Sequence, residues 1–111
     1  MEDVDGDLRK SWKRTEGYLL DARAHLSEAA EGICAEEICS FEEFIEHNEL
    51  GLALDTLDGM LEKCGELESS RVLEYMALAA ASMGQAERQR AYDDQLSKKR
   101  GWSYQTALPP A

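Results

Sequence analysis

The sequence predicts an all-α protein: a single-domain antiparallel bundle of about five helices, followed by a non-helical C-terminal tail. Apolar residues recur at alternating steps of three and four along most of the chain, which is the spacing of one helix face. Glycines or short polar segments separate these stretches. The chain has 111 residues, 43% hydrophobic and 32% charged, which is typical of one folded domain. We therefore expect residues 1–111 to form one domain, with residues 101–111 extended and packed on the bundle.

The first predicted helix runs from about Gly6 to Ala30. Trp12 lies on its apolar seam and is expected to anchor the core. Gly17 is the weak point, where a bend is expected, because glycine costs about 1 kcal/mol relative to alanine inside a helix. A turn is expected at Glu31–Ile33. The seam consists of Leu8, Trp12, Thr15, Leu19, Ala22, Leu26 and Ala29.

The second predicted helix covers about Ala35–His47 and turns its aromatic residues inward. Ser40 and Glu43 also fit a capping box, which would start this helix at Ser40. Cys39 and Phe44 would then form a hydrophobic staple across the start. Both versions bury the same apolar residues, which are Ile38, Phe41, Phe44 and Ile45.

The third predicted helix spans about Glu49–Cys64, with Asn48 as its N-cap and Gly65 just after its end. Its apolar stripe is Leu50, Leu54, Leu57, Leu61 and Cys64. The fourth, about Ser70–Met83, is rich in alanine and is expected to be the most buried. The fifth, about Gln85–Lys98, carries the thinner stripe of an outer helix.

The tail beyond Gly101 contains Pro109 and Pro110, which disfavour a terminal helix. Trp102 and Tyr104 either pack back onto the bundle or belong to a partner surface, where such aromatic residues are enriched.

The negative charge is concentrated in the middle of the chain. Of a net charge of −11, the segment from Glu28 to Glu68 holds 13 acidic residues and one base, Lys63. Such a field repels nucleic acid and anionic membranes and attracts a basic protein. We therefore expect neither nucleic acid nor a membrane as partner. The alternative interpretation is a solvated face that only keeps the protein dissolved.

The sequence also predicts the compartment. No apolar run approaches the roughly 20 residues that span a bilayer, and the acidic start Met1–Asp5 does not resemble a signal peptide. An odd number of cysteines, three, fits a reducing environment. These features together predict a cytoplasmic protein.

No motif for catalysis, metal or cofactor binding stands out. Glu43 and His47 share a helix face at i and i+4, but a weak solvated pair is the ordinary outcome. The spacing of Cys34 and Cys39 does not match structural zinc sites. A glycine-rich phosphate loop is absent. We expect no enzyme activity, no metal and no cofactor.

Helical geometry groups the central carboxylates into an acidic band. Asp55, Asp58 and Glu62 fall on one face of the third predicted helix, about a quarter-turn from its leucines. On the second predicted helix, Glu42, Glu43 and Glu46 group likewise. The band is expected to be nearly uncompensated by positive charge.

The segment from Phe41 to Asp55, FEEFIEHNELGLALD, resembles small helical bacterial immunity proteins. Genes for these proteins lie beside those for secreted polymorphic toxins, including contact-dependent growth-inhibition and Maf-type systems. In that group an acidic, aromatic helix leads into a second helix beginning near His/Asn-Glu and followed by Ala-Leu. The resemblance covers about 25 residues and implies that the chain neutralises one cognate toxin, usually a nuclease. We expect the chain to be a monomer or weak oligomer.

A nuclease presents a basic cleft to phosphates, so a concentrated acidic surface offers the complementary field. Inhibition would then be by occlusion of that cleft. Asn48 is expected to shape the junction between helices, and His47 could do the same. The candidate toxin-contacting residues are Glu42, Glu43, Glu46, His47, Glu49, Asp55, Asp58 and Glu62.

Two other functions remain open. The last three predicted helices, with turns at Gly65 and Gly84, resemble hairpins of the tetratricopeptide type, which would make the chain an adaptor. A small acidic secretion chaperone is the other alternative.

Overall fold

The computed structural model describes residues 3–64, 70–101, 103 and 105–108, with side chains from residue 11 onward. Within these residues the protein is all helical, which confirms the predicted class, and six helices are present instead of about five. Predictions about Gly65, Trp102, Tyr104 and the two prolines fall outside the described residues, as does the side chain of Leu8. The helices are α1 Asp3–Ala24, α2 Glu28–Ile33, α3 Ala35–Glu46, α4 Leu50–Cys64, α5 Ser70–Ser82 and α6 Ala86–Arg100.

The extra helix arises because the predicted first helix is divided in two. The chain leaves the helical path at residues 25–27, and Ser27 caps α2 by accepting a hydrogen bond from the Ala30 N–H at 3.1 Å. Gly17, the expected weak point, lies within the uninterrupted α1. The turn expected at Glu31–Ile33 is also wrong, because these residues are helical and the break falls at Cys34. Ala29 is exposed, since α2 does not continue the seam of α1.

α3 begins at Ala35, so the capping box at Ser40 is wrong. Ser40 lies inside the helix, and Cys39 is exposed instead of forming a staple with Phe44. Asn48 does not serve as the N-cap of α4. It takes the left-handed conformation, with φ of 59°, immediately after α3.

The turn between α3 and α4 is a Schellman motif. The N–H of Asn48 bonds the Ile45 carbonyl at 3.0 Å, and the N–H of Glu49 bonds the Phe44 carbonyl at 2.8 Å. These bonds satisfy carbonyls that the helix end leaves without partners. Asn48 therefore shapes the junction as the residue that ends α3.

The same turn recurs between α5 and α6. Gly84, with φ of 74°, bonds the Ala81 carbonyl at 3.1 Å, and Gln85 bonds the Ala80 carbonyl at 2.9 Å. The far ends of this helix pair are joined by an ion pair between Glu74 and Arg100 at 2.5 Å. α5 and α6 thus form a second helical hairpin with the same kind of turn.

The core lies where α5 packs between α1 and α6, while α4 packs mainly on α3. Six of the 13 residues of the alanine-rich α5 are buried, against six of the 15 residues of α4, so α5 exceeds α4 only slightly in its buried fraction. The side chains of Thr15 and Ser82 share a hydrogen bond of 2.6 Å, which joins α1 to the end of α5. The largest fully buried side chains elsewhere are Phe41, Leu19, Leu54, Leu57, Met60 and Leu96.

Trp12 is 46% exposed, so its prediction as a core anchor is wrong. α1 and α5 run in opposite directions, because Thr15 meets Ser82 while His25, further along the chain, stacks on Tyr75 with ring centroids 5.3 Å apart. Trp12 precedes Thr15 and therefore lies near the place where α5 ends. Its ring is left partly uncovered for that reason.

The segment after α6 is tied down by a buried carboxylate. Asp93 accepts hydrogen bonds from the Thr106 N–H at 3.0 Å and from the Thr106 hydroxyl at 2.5 Å. Gln89 donates to the Thr106 carbonyl at 3.2 Å. Thr106 is therefore held on α6, whereas Ser103, Gln105, Ala107 and Leu108 of the tail are exposed. No helix among the described residues has both the length and the apolar character that a membrane crossing requires.

Candidate partner-binding surface

Residues 35–64, comprising α3, the turn and α4, form the acidic hairpin. Five of its predicted contact residues have exposed side chains and no hydrogen bond or ion pair from their carboxylates within the described residues. We refer to them as the five free carboxylates. They are Glu42, Glu43, Glu46, Glu49 and Glu62.

Asp55 and Asp58 are in a different situation, because both pair with Arg88 of α6. The Arg88 Nη2 atom contacts Asp55 Oδ1 and lies 2.6 Å from Asp58 Oδ2. The Tyr92 hydroxyl donates to Asp58 Oδ1 at 2.6 Å. The expectation of an uncompensated band is therefore wrong for these two aspartates.

The surroundings of this cluster favour a charged Arg88 and a protonated Tyr92. Burial disfavours the charged form of Arg88, but its hydrogen bonds to Asp58 and Asp55 outweigh that effect and raise its pKa. Burial raises the pKa of Tyr92, and its hydrogen bond to Asp58 adds to the shift. Arg88 stays positive and Tyr92 stays a donor, so the cluster fastens α4 to α6.

Lys63, the one base in the acidic segment, is also engaged. Its Nζ atom lies 2.8 Å from Glu37 Oε2, at the end of the hairpin opposite the turn. This hydrogen bond lowers the pKa of the Glu37 carboxyl and raises that of Lys63. Within the described residues, Lys63 therefore forms its ion pair with Glu37 and not with any of the five free carboxylates.

The surroundings of His47 in the turn favour its protonated form. Its Nδ1 atom lies 2.9 Å from the Glu43 carbonyl oxygen, and the ring is exposed. The hydrogen bond to this carbonyl raises the pKa of His47, and the nearby charges of Glu46, Glu49 and Glu43 raise it further. The turn thus favours positive charge even on its own histidine.

A groove of about 430 Å³ lies beside this turn, and we call it the turn-end groove. Both hairpin turns contribute to it, through Asn48 and Gln85, together with the exposed ring of Trp12. Glu49 follows Asn48 directly, so free carboxylate and aromatic surface occur at the same end of the molecule. The groove is lined by Ser11, Trp12, Thr15, Asn48, Leu50, Gly51, Ser82, Met83 and Gln85.

Sequence reasoning missed Trp12 as a surface residue and Arg88 as the counter-charge. Helical periodicity placed Trp12 on the seam of α1 correctly, but it could not show where α5 would end. Arg88 lies 33 residues from Asp55, so no local spacing indicates the pair. Within the described ranges, no group of three or more His, Cys, Asp or Glu side chains could hold a metal ion.

Comparisons of the chain with models of protein families, with curated proteins and with solved structures found no match. Fold and site define an all-helical chain containing two helical hairpins, of which one is strongly acidic.

Proposed function

We propose that this chain is a cytoplasmic immunity protein, which binds one basic toxin domain and blocks its active-site cleft with the acidic hairpin. A nuclease fits best as the toxin, because its cleft must attract phosphate. The single observation that carries the proposal is the set of five free carboxylates concentrated on one helical hairpin. In this proposal the two helical hairpins and the remaining helices form one antiparallel bundle.

Free carboxylates suit this role energetically. They can accept charge-assisted hydrogen bonds from Lys or Arg of a partner without first giving up an ion pair inside the chain. Asp55 would take part at the edge, because its side chain remains 57% exposed beside Arg88. Asp58 would act mainly by holding α6, since Tyr92 and Arg88 already occupy both of its oxygens.

The turn-end groove gives the surface an apolar anchor next to the charges. Exposed tryptophans are among the commonest hot spots of protein interfaces. Leu52, also 46% exposed, lies one helical turn after Glu49. A partner whose basic cleft has an apolar rim would match this combination of Trp12, Leu52 and free carboxylates.

The test is a charge reversal with a matched control. Glu42→Lys with Glu46→Lys changes two free carboxylates. Glu87→Lys with Asp94→Lys makes the same change in net charge on exposed positions of α6. Each variant is produced with the protein encoded by the neighbouring gene, and co-purification, association rate and protection of growth are measured.

The α3 variant is expected to lose protection and to associate at least about tenfold more slowly at low salt, while circular dichroism shows an intact helical fold. The α6 variant is expected to protect like the parent chain. Equal behaviour of the two variants would overturn the proposal.

A helical-hairpin adaptor is the second candidate. Its supporting observation is that α3 with α4 and α5 with α6 form two consecutive helical hairpins, and helix pairs are the unit that helical repeat proteins stack. An adaptor would bind an extended peptide in a groove, and its affinity would change little with salt. Strong salt dependence of binding would therefore favour the immunity function. A secretion chaperone is distinguished by a neighbouring secretion operon instead of a toxin gene.

A further inference from the structure

The thiols of Cys34 and Cys64 lie against each other in the protein interior. Their sulfur atoms are 3.2 Å apart, although the residues are 30 positions apart in the chain. Cys34 is fully buried and Cys64 is 7% exposed. The third cysteine, Cys39, is exposed.

The fold holds this pair in place from both sides. Cys34 sits at the break between α2 and α3, where its N–H bonds the Ala30 carbonyl and its carbonyl accepts from Ile38, both at 2.9 Å. Cys64 is the last residue of α4. The ion pair between Glu37 and Lys63 closes the same end of the hairpin.

We infer that Cys34 and Cys64 form a site of reversible disulfide formation, which converts the acidic hairpin into a covalently closed ring under oxidising conditions. A disulfide needs its sulfur atoms only roughly 1 Å closer than they are here. Side-chain rotation of the two cysteines is expected to cover that distance. The inference does not depend on the proposed function.

The oxidant is a small hydroperoxide. The Cys64 thiolate, the less buried of the two, attacks a peroxide oxygen, breaks the O–O bond and becomes a sulfenic acid as hydroxide leaves. The Cys34 thiolate then attacks the Cys64 sulfur, the S–O bond breaks, and a second hydroxide leaves as the S–S bond forms. Both hydroxides take up the thiol protons, so two thiols are oxidised while one peroxide becomes two waters.

Ring closure constrains the unfolded chain. The cross-link spans 30 residues, and a loop of that size removes substantial conformational entropy from the unfolded state. The oxidised protein is therefore expected to melt at a temperature higher by on the order of 10 °C, a shift that a dithiol reductant reverses.

The experiment treats the full chain and its Cys39→Ser variant with hydrogen peroxide in native buffer. The Cys39→Ser variant is expected to lose two hydrogen atoms in intact mass, and both proteins are expected to give a linked peptide containing Cys34 and Cys64. The Cys64→Ala variant should give no such peptide. The reduced chain is treated in parallel in denaturant, where the two thiols are no longer held together.

The inference is supported if the linked peptide forms faster in native buffer than in denaturant and the melting temperature rises. It is overturned if Cys34 and Cys64 stay reduced in the native protein, if the linkage forms only after unfolding, or if Cys39 is the residue that becomes cross-linked. Because the parent chain itself is measured, poor folding of a variant cannot decide the outcome.

Discussion

At the scale of single residues, Asn48 shows how one backbone conformation sets the geometry of the acidic hairpin. A left-handed residue must follow α3 so that Glu49 can bond back to Phe44. Asparagine reaches this conformation more readily than other non-glycine residues. Gly84 adopts the same left-handed conformation in the second hairpin.

Replacing Asn48 is expected to separate conformation from side-chain chemistry. Asn48→Ala should lower the free energy of unfolding by about 1 kcal/mol, because the alanine Cβ lies too close to the following carbonyl oxygen in the left-handed conformation. Asn48→Gly should leave it unchanged or slightly higher, because glycine is the preferred residue here. Urea denaturation measures both, and equal stabilities of the two variants would argue against a conformational role.

The raised pKa of His47 predicts that the stability of the fold depends on pH. Its pKa in the folded chain lies above the ordinary value of 6.5, so the fold favours the protonated ring. The stabilisation is therefore fully present below the unfolded pKa and is lost as pH rises through the folded pKa. An NMR titration of the ring should show the raised pKa, and Glu46→Gln with Glu49→Gln should lower it. No change in that double variant would mean that the field of the turn is weaker than described.

At the scale of helices, local sequence patterns determined most boundaries. The predicted helices at about 35–47, 49–64, 70–83 and 85–98 agree with α3 to α6 to within two residues. Their apolar stripes and turn residues are encoded nearby in sequence, whereas the N-caps predicted at Ser40 and Asn48 are wrong. The break after α1 was missed, although Ser27 followed by Glu28 and Glu31 is a local start signal.

Contacts between helices could not be predicted in the same way. The ion pairs of Arg88 join α6 to α4, and the sulfur pair joins the two ends of the acidic hairpin. Such contacts depend on how helices pack, which helical periodicity does not specify. The sequence therefore predicted on which helices the acidic residues lie, but not which of them form ion pairs with bases of the same chain.

The hydrogen bond between Tyr92 of α6 and Asp58 of α4 is expected to contribute to the free energy of unfolding. Tyr92→Phe removes a hydrogen bond of 2.6 Å to a charged acceptor, Asp58, and is expected to lower the free energy of unfolding by about 1.5 kcal/mol. Tyr18→Phe is the control, because the Tyr18 hydroxyl accepts only a longer bond of 3.2 Å from Arg14. Its effect should stay within about 0.5 kcal/mol. Similar losses in the two variants would show that the Asp58 bond contributes little.

At the scale of the whole molecule, the acidic residues fall into two groups with different uses. Asp55, Asp58, Glu74 and Glu37 pair with bases from other parts of the chain and hold helices together. The five free carboxylates have no such role within the described residues. Net charge read from the sequence does not distinguish these two groups, whereas the structure does.

Trp12 is predicted to matter for binding more than for folding. Trp12→Ala should weaken binding to the neighbouring gene product by at least about tenfold and change the free energy of unfolding by less than about 1 kcal/mol. Leu20→Ala on the same helix, where the parent side chain is 43% exposed outside the turn-end groove, is the matched control. Isothermal titration calorimetry and urea denaturation give the two quantities. Equal affinities of the Trp12 and Leu20 variants would show that the turn-end groove is not part of the interface.

We propose that the acidic hairpin meets a basic protein through its free carboxylates. The decisive experiment is an NMR titration of the isotopically labelled chain with the protein from the neighbouring gene. The largest chemical-shift changes are expected at Glu42, Glu46, His47 and Glu49, and they should decrease as salt is added. Changes centred instead on Glu87 and Asp94 of α6, with the acidic hairpin unaffected, would contradict it.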